Sequence, residues 1–212
     1  MLFVTGNTVI DALLEVVRLL RNALSLQEQM SNRFSFLRKN KRIVLVTGHG
    51  HENFGSGFER VCTALKTIAE EEPNIEIVYP VHLNPNVQEP VRRILGKSKS
   101  IHLIEPLDYL PFVYLMNRCS FIITDSGGIQ EEAPSLGKPV LVTRNTTERP
   151  EAIKAGTVKL VGTDPNVIVH EALALIRDGG AFKCMSKFHN PYGDGLAAQR
   201  IVAHLPSAME WA

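Results

Sequence analysis

Six short apolar runs, each separated from the next by a helix-length polar–apolar segment, limit what this chain can fold into. The runs are Ile43-Val44-Leu45-Val46, Ile75 to Tyr79, Ile101 to Ile104, Phe121-Ile122-Ile123, Val140-Leu141-Val142 and Val158 to Val161. Runs this short read as strands, and the unbroken ones, such as 43–46 and 121–123, as strands buried on both faces. Between them, Phe58, Val61, Leu65 and Ile68 recur at helical spacing, as do residues 109–116 and 167–176. Strands alternating with helices predict an α/β fold: a Rossmann-like parallel sheet of about six strands with helices on both faces. At 212 residues the chain is long enough to bury a real core. Loops at the carboxyl ends of such strands share one edge of the sheet, and ligands bind beyond that edge.

Ahead of the sheet, Leu2-Phe3-Val4 reads as the end of a strand. A helix then begins at Asn7 or Thr8, with Val9, Ile10, Leu13, Leu14, Val17 and Leu20 on its apolar face. A second helix leads to Arg38-Lys39-Asn40-Lys41-Arg42, a basic turn with no interleaved aromatics and so no nucleic-acid signature. A net charge of +1 adds no global attraction to nucleic acid or acidic membranes. No apolar run reaches membrane-spanning length, and the start lacks the basic region of a signal peptide. Cys62, Cys119 and Cys184 lie far apart in apolar contexts, which reads as three buried free thiols in a reducing cytoplasm. After the turn cluster 190–195, helical spacing resumes from Ala197 to Leu205.

The chemistry-bearing residues collect in the loops of the predicted carboxyl edge. The first loop carries His49, His51 and Glu52; the second, His82; the third, Glu105 to Tyr109; the fifth, Arg144 to Arg149. The fourth, Thr124-Asp125-Ser126-Gly127-Gly128, opens directly into a helix that ends at Gly137 and carries Glu131 and Glu132. Two readings fit that turn: an ordinary strand-to-helix junction with a serine cap, or a cradle in which backbone N–H groups and the helix dipole receive a phosphate. His-x-His with Glu52 suggests a metal, but no further matched ligands stand nearby. With no activated serine or cysteine in view, the set suits a nucleotide or sugar-phosphate pocket better than a hydrolase.

The segments VTGNTVIDAL, YPVHLNPNV, DYLPF, TDSGGIQEEAPSLGKPVLV and TTERPEA, in this order, resemble the non-hydrolysing UDP-N-acetylglucosamine 2-epimerases. The resemblance implies the C-terminal half of a GT-B-type fold, the fold of the B-type glycosyltransferases. It implies three parts: residues 1–41, a hinge strand remnant and crossover helices; 42–190, the UDP-binding domain; and 191–212, a C-terminal helix. It assigns His49 and the turn Ser126, Gly127 and Gly128 to the pyrophosphate, Glu132 to the ribose hydroxyls, Phe112 to the uracil ring and Arg149 to the substrate's phosphates. No metal or redox cofactor is implied. The ligand is UDP or UDP-GlcNAc, and the partner is an N-terminal domain or a second copy; neither nucleic acid nor membrane is expected. The reaction implied is epimerisation of UDP-GlcNAc to UDP-ManNAc, with this chain incomplete by itself because the proposed bases lie in the N-terminal domain. Two alternatives stay open: the partner module of a split enzyme, and a glycosyltransferase domain of the same fold. The family's His-Arg-Arg-Glu run departs here to Gly50 and His51, which removes two permanent charges. Leu107 stands where some relatives carry glutamine.

Overall fold

The computed structural model describes residues 2–48, 56–187 and 190–209. Among them, six strands form one parallel sheet. They are β1 (Arg42–Thr47), β2 (Ile75–Pro80), β3 (Ile101–Ile104), β4 (Phe121–Thr124), β5 (Val140–Val142) and β6 (Val158–Leu160). Their order is β3-β2-β1-β4-β5-β6. The chain builds outward from β1 in one direction, then returns to its other side, so the strand order reverses between β1 and β4. That reversal is the switch point at which doubly wound sheets bind ligands. The registers Thr47↔Thr124 and Thr124↔Val142 bring the three central strands to a common carboxyl edge.

Period-two alternation divides the strand residues between two cores. Val44, Val46, Ile75, Ile77, Phe121 and Ile123 face α3 (Ser56–Glu71), α4 (Pro85–Leu95) and α8 (Pro165–Arg177). Ile43, Leu45, Val78, Ile122, Val140 and Val142 face α1 (Thr8–Asn22), α2 (Leu24–Arg33) and α5 (Tyr109–Arg118). The α1 face is as its spacing predicts, with Ile10, Leu13, Val17 and Leu20 buried and the Asn7 side chain capping through Val9 N–H. The central strands β1, β4 and β5 are covered by helices on both faces, which is why their runs at 43–46, 121–123 and 140–142 show no polar interruption, whereas β2, β3 and β6 carry Glu76, His102 and Lys159.

Two expectations are corrected. Residues 2–6 have no regular structure, and Leu2 and Val4 are more than nine-tenths exposed; among the described residues no strand pairs with them. Cys184 is exposed, on the short helix α9 (Gly179–Met185), which has no buried residue. Cys62 and Cys119 are buried as expected, and loss of water pushes both thiols up to about 12, so they stay protonated and inert. The basic turn is not wholly solvated: Arg38 donates its backbone N–H to Glu76, a carboxylate 1 % exposed, and its guanidinium stands 3.7 Å from the same group.

The tail is fastened back to the start of α1. Tyr192 accepts the Asn7 backbone N–H at 2.8 Å. The Asp11 carboxylate takes the N–H groups of Ala197 and Ala198, capping α10 (Ala197–Met209) from another helix.

Candidate functional site

Beyond the β1/β4 switch point lies an open cleft of about 240 Å³. Its lining comes from four strand ends and the loops that follow them: Thr47 and Gly48 at β1, Pro80 and His82 at β2, Pro106 and Leu107 after β3, Ser126 after β4. Phe112 from α5 and Ile129 from α6 (Gly127–Glu132) complete it. Its floor is tied by Thr47 Oγ1 and Thr124 Oγ1, 2.6 Å apart across β1 and β4. Loops distant in sequence therefore converge as the strand pattern predicts.

At the β4–α6 turn, Thr124 does the local bonding. Its hydroxyl accepts the Ser126 backbone N–H at 2.9 Å, while the Ser126 side chain makes no capping hydrogen bond. Ser126 thus holds the N-cap position of α6 without a side-chain cap, a geometry that both readings of this turn admit. The first N–H groups of α6 belong to Gly127 and Gly128, and a helix leaves such groups without intrahelical partners. A side chain added at Gly127 would meet nothing within 4 Å, so its surroundings are open. α6 continues into a 3₁₀ turn, Ala133–Leu136, closed by Gly137 in the left-handed conformation at φ 64°, so the helical segment ends at the glycine where the sequence placed its end.

Glu132 is almost fully buried at the far end of α6. Its Oε1 accepts the Tyr109 hydroxyl at 2.8 Å. Burial holds its carboxyl above the ordinary range; the Tyr109 bond works the other way, and Glu131 adds to the rise. Burial also raises the Tyr109 phenol, with the Glu132 bond and charge adding to it. Glu131 faces the other way. Its carboxylate accepts Asn7 Nδ2 at 2.7 Å and pairs with Arg149 Nε. That pairing raises the Arg149 guanidinium further, so its charge is permanent. Asn190 donates to the Glu131 carbonyl and to Ser135, which binds the tail to the same helix.

Phe112 and Ser126, of the predicted residues, line the cleft. Gly127 and Gly128 follow in the turn, Glu132 lies one helical turn on, and Arg149 reaches α6 through Glu131. His49, with Gly50, His51 and Glu52, lies outside the described residues. Among the described residues no cluster of metal-ligating side chains occurs, and no helix is long and apolar enough to cross a membrane. Sequence reasoning placed Tyr109 and Thr147 in the loops of this edge without assigning either a role, and passed over Gln130. For Tyr109 a signal exists, since it stands three residues before Phe112 on one helix face.

Residues 1–206 match the model of the UDP-N-acetylglucosamine 2-epimerase family. The chain belongs to that family. It is 59 % identical over 206 residues to the UDP-N-acetylglucosamine 2-epimerase of Salmonella typhimurium, covering 97 % of this chain and 55 % of the relative. The Escherichia coli K12 enzyme is 57 % identical over 204 residues, covering 96 % of this chain and 54 % of its own length. The structure of the Neisseria meningitidis UDP-GlcNAc 2-epimerase bound to UDP-GlcNAc superposes with a TM-score of 0.92 at 47 % identity, over 97 % of this chain and 55 % of that one. A co-structure of Staphylococcus aureus MnaA with UDP gives 0.86 at 41 %, over 99 % and 55 %. A sucrose-phosphate synthase from Thermosynechococcus elongatus, 14 % identical, shares the fold alone, with a TM-score of 0.61 over 87 % of this chain and 49 % of that one. The chain spans about half the length of the curated relatives it matches.

Proposed function

We propose that this chain is the UDP-binding half of a UDP-GlcNAc 2-epimerase, which interconverts UDP-GlcNAc and UDP-ManNAc. The observation that carries the reading is the cleft itself. In a chain of this family, Phe112 and Ser126 come to one cavity from opposite sides of the switch point. A cavity of about 240 Å³ suits part of a nucleotide sugar and leaves the sugar to be enclosed by something else. In this reading Phe112 lies beside uracil, Glu132 takes the ribose hydroxyls, and Ser126, Gly127, Gly128 and Arg149 hold the pyrophosphate. His49 is proposed at the pyrophosphate too, on the family resemblance alone.

The reaction that the resemblance implies removes the proton from C2 and breaks the bond to UDP, giving 2-acetamidoglucal. UDP then adds back with the proton returned on the other face. Such a step needs a base and an acid near the sugar and a site that stabilises the departing diphosphate. The described residues fit the last of these needs: a helix N-terminus and a permanently charged arginine stabilise negative charge without changing protonation. The base and acid belong, by the resemblance, to a portion of the relatives that this match does not cover. We therefore expect UDP binding without turnover. Titration with UDP should give a dissociation constant of millimolar or tighter, and UDP-ManNAc should not form. Failure to bind UDP overturns the binding role, and substantial turnover overturns the incompleteness.

A second body completing the site, either an N-terminal domain or a second copy, is supported by exposed apolar surface. Leu2, Phe3 and Val4 are exposed, as are Leu196, Ile201, Val202 and Leu205 on and beside α10, and Phe3 stacks on His204 of that helix. Surface of this kind marks an interface or favours association. We expect the isolated chain to self-associate at high concentration in sedimentation; a clean monomer counts against this part.

A further inference from the structure

The two groups proposed to hold the diphosphate come from different loops. Ser126 to Gly128 follow β4, and Arg149 follows β5. The bond from Thr143 N–H to Thr124 carbonyl, 2.8 Å, is the last backbone link between those loops among the described residues. Beyond it, side chains set their relative position.

Gln130 and Thr147 provide that link. Gln130 is 1 % exposed, so its amide has to find partners within the protein. Its Nε2 donates to the Ser126 carbonyl at 3.2 Å, and its Oε1 accepts the Thr147 hydroxyl at 2.6 Å. Thr147 Oγ1 in turn accepts the Arg149 backbone N–H at 3.1 Å. The polarity of the relay is fixed at each joint. A carbonyl at Ser126 requires the amide nitrogen on that side, which turns Oε1 toward Thr147. The backbone N–H of Arg149 can only donate, so the single hydroxyl proton of Thr147 is left for Gln130. An amide flip would set oxygen against oxygen at Ser126. The Arg149 side chain is then aimed by Glu131, the residue next to Gln130 on the same helix.

We propose that Gln130 and Thr147 are positioning residues that hold the Arg149 loop in place relative to the Ser126–Gly128 turn, so that both can act on one diphosphate. This rests on the UDP-binding reading above. Neither residue touches the ligand in this proposal. Both act by locking one loop to the other, and small misplacements of such groups have large effects on binding and rate.

The test is a titration of the full chain with UDP and, separately, with uridine, which lacks the phosphates. The variants are T147V, T147S, R149A and the double variant T147V/R149A. We expect T147V to weaken UDP binding about tenfold while uridine stays within about twofold, and T147S to restore the parent value. In the R149A background, T147V should change UDP binding by less than about twofold, because its effect passes through Arg149. Equal losses for UDP and uridine, an undiminished loss in the R149A background, or no rescue by serine would each overturn the proposal. The UDP-binding reading would survive those results. If R149A itself leaves UDP binding unchanged, the role of Arg149 falls and this inference with it; if the parent binds neither ligand, the UDP reading falls. Thermal melts accompany each variant, and should T147V not fold, T147A removes the same hydroxyl without adding bulk and runs through the same cycle.

Discussion

The two sides of the cleft are built on different physics. On the β4–β5 side, where Ser126 and Ile129 form the lining, the polar groups behind it are joined one to another: Thr124 to Ser126, Gln130 to Thr147, Glu131 to Arg149 and Asn7. On the β2–β3 side, Pro80, Pro106, Leu107 and Phe112 present largely apolar surface, with His82 as the polar exception. A diphosphate and a pyrimidine ring make matching demands. Charge needs donors whose positions are settled beforehand, because hydrogen bonds and ion pairs depend on geometry. A ring needs area and tolerates small shifts. The wired side and the apolar side should therefore respond to different parts of UDP, and that difference can be broken one residue at a time.

The largest effect is expected on the wired side. Arg149→Ala removes a charge-assisted donor worth about 1.5–3 kcal/mol and releases Glu131 from its partner. UDP should bind ten- to a hundredfold more weakly, roughly, with uridine little changed. Equal losses for both ligands would contradict the division. Next is Phe112→Ala on the apolar side. Base–aromatic stacking is worth about 1–3 kcal/mol, so UDP and uridine should weaken by similar factors, about tenfold or more. A loss confined to UDP would place the ring elsewhere.

Smaller is the effect of Tyr109→Phe, which removes the hydroxyl that Glu132 accepts and keeps the ring. Uridine binding should fall about two- to fivefold, the value of one modest hydrogen bond. The pH dependence sharpens this point. Ribose hydroxyls donate best to an ionised carboxylate, whereas burial raises the Glu132 carboxyl above its ordinary value, with Glu131 nearby adding to the rise. Its neutral form thus persists to higher pH than in an exposed glutamate. Uridine affinity should rise with pH through that raised value, with a proton released on binding. Tyr109→Phe, which removes a bond favouring the ionised form, should shift the rise to higher pH. Glu132→Gln should flatten it; an unchanged profile in that variant assigns the titration to another group. For stability the sign is opposite. A carboxyl raised by burial contributes most at pH below its unfolded value, and that contribution is lost as pH climbs through the folded one.

Most of the fold was legible because strand and helix periodicity is local. The runs at 43–46, 75–79 and 121–123 became β1, β2 and β4 within one or two residues, whereas the strand order and its reversal between β1 and β4 came only with the folded chain. The strand expected at residues 2–4 fails for a physical reason: an apolar tripeptide is a strand only if a neighbour offers hydrogen bonds. Cys184 failed because apolar neighbours in sequence do not say whether a short helix is covered. At the candidate site, the Ser126-Gly127-Gly128 turn was legible as a motif, Phe112, Glu132 and Arg149 were named on resemblance alone, and the fold brings Phe112 and Ser126 to one cleft. The hydrogen bonds of Gln130, Thr147 and Tyr109 were not legible, since each partner stands 17 or 23 residues away and only the folded chain brings it near.

The central claim is that UDP lies across the switch point with its diphosphate on the wired side and its base on the apolar side. Backbone amide resonances followed by NMR during UDP titration test it most directly. The account predicts that Gly127 and Gly128 shift with UDP but barely with uridine, while amides around Phe112 on α5 shift with both. Shifts from UDP confined to another surface, or glycine shifts of equal size with uridine, would contradict it.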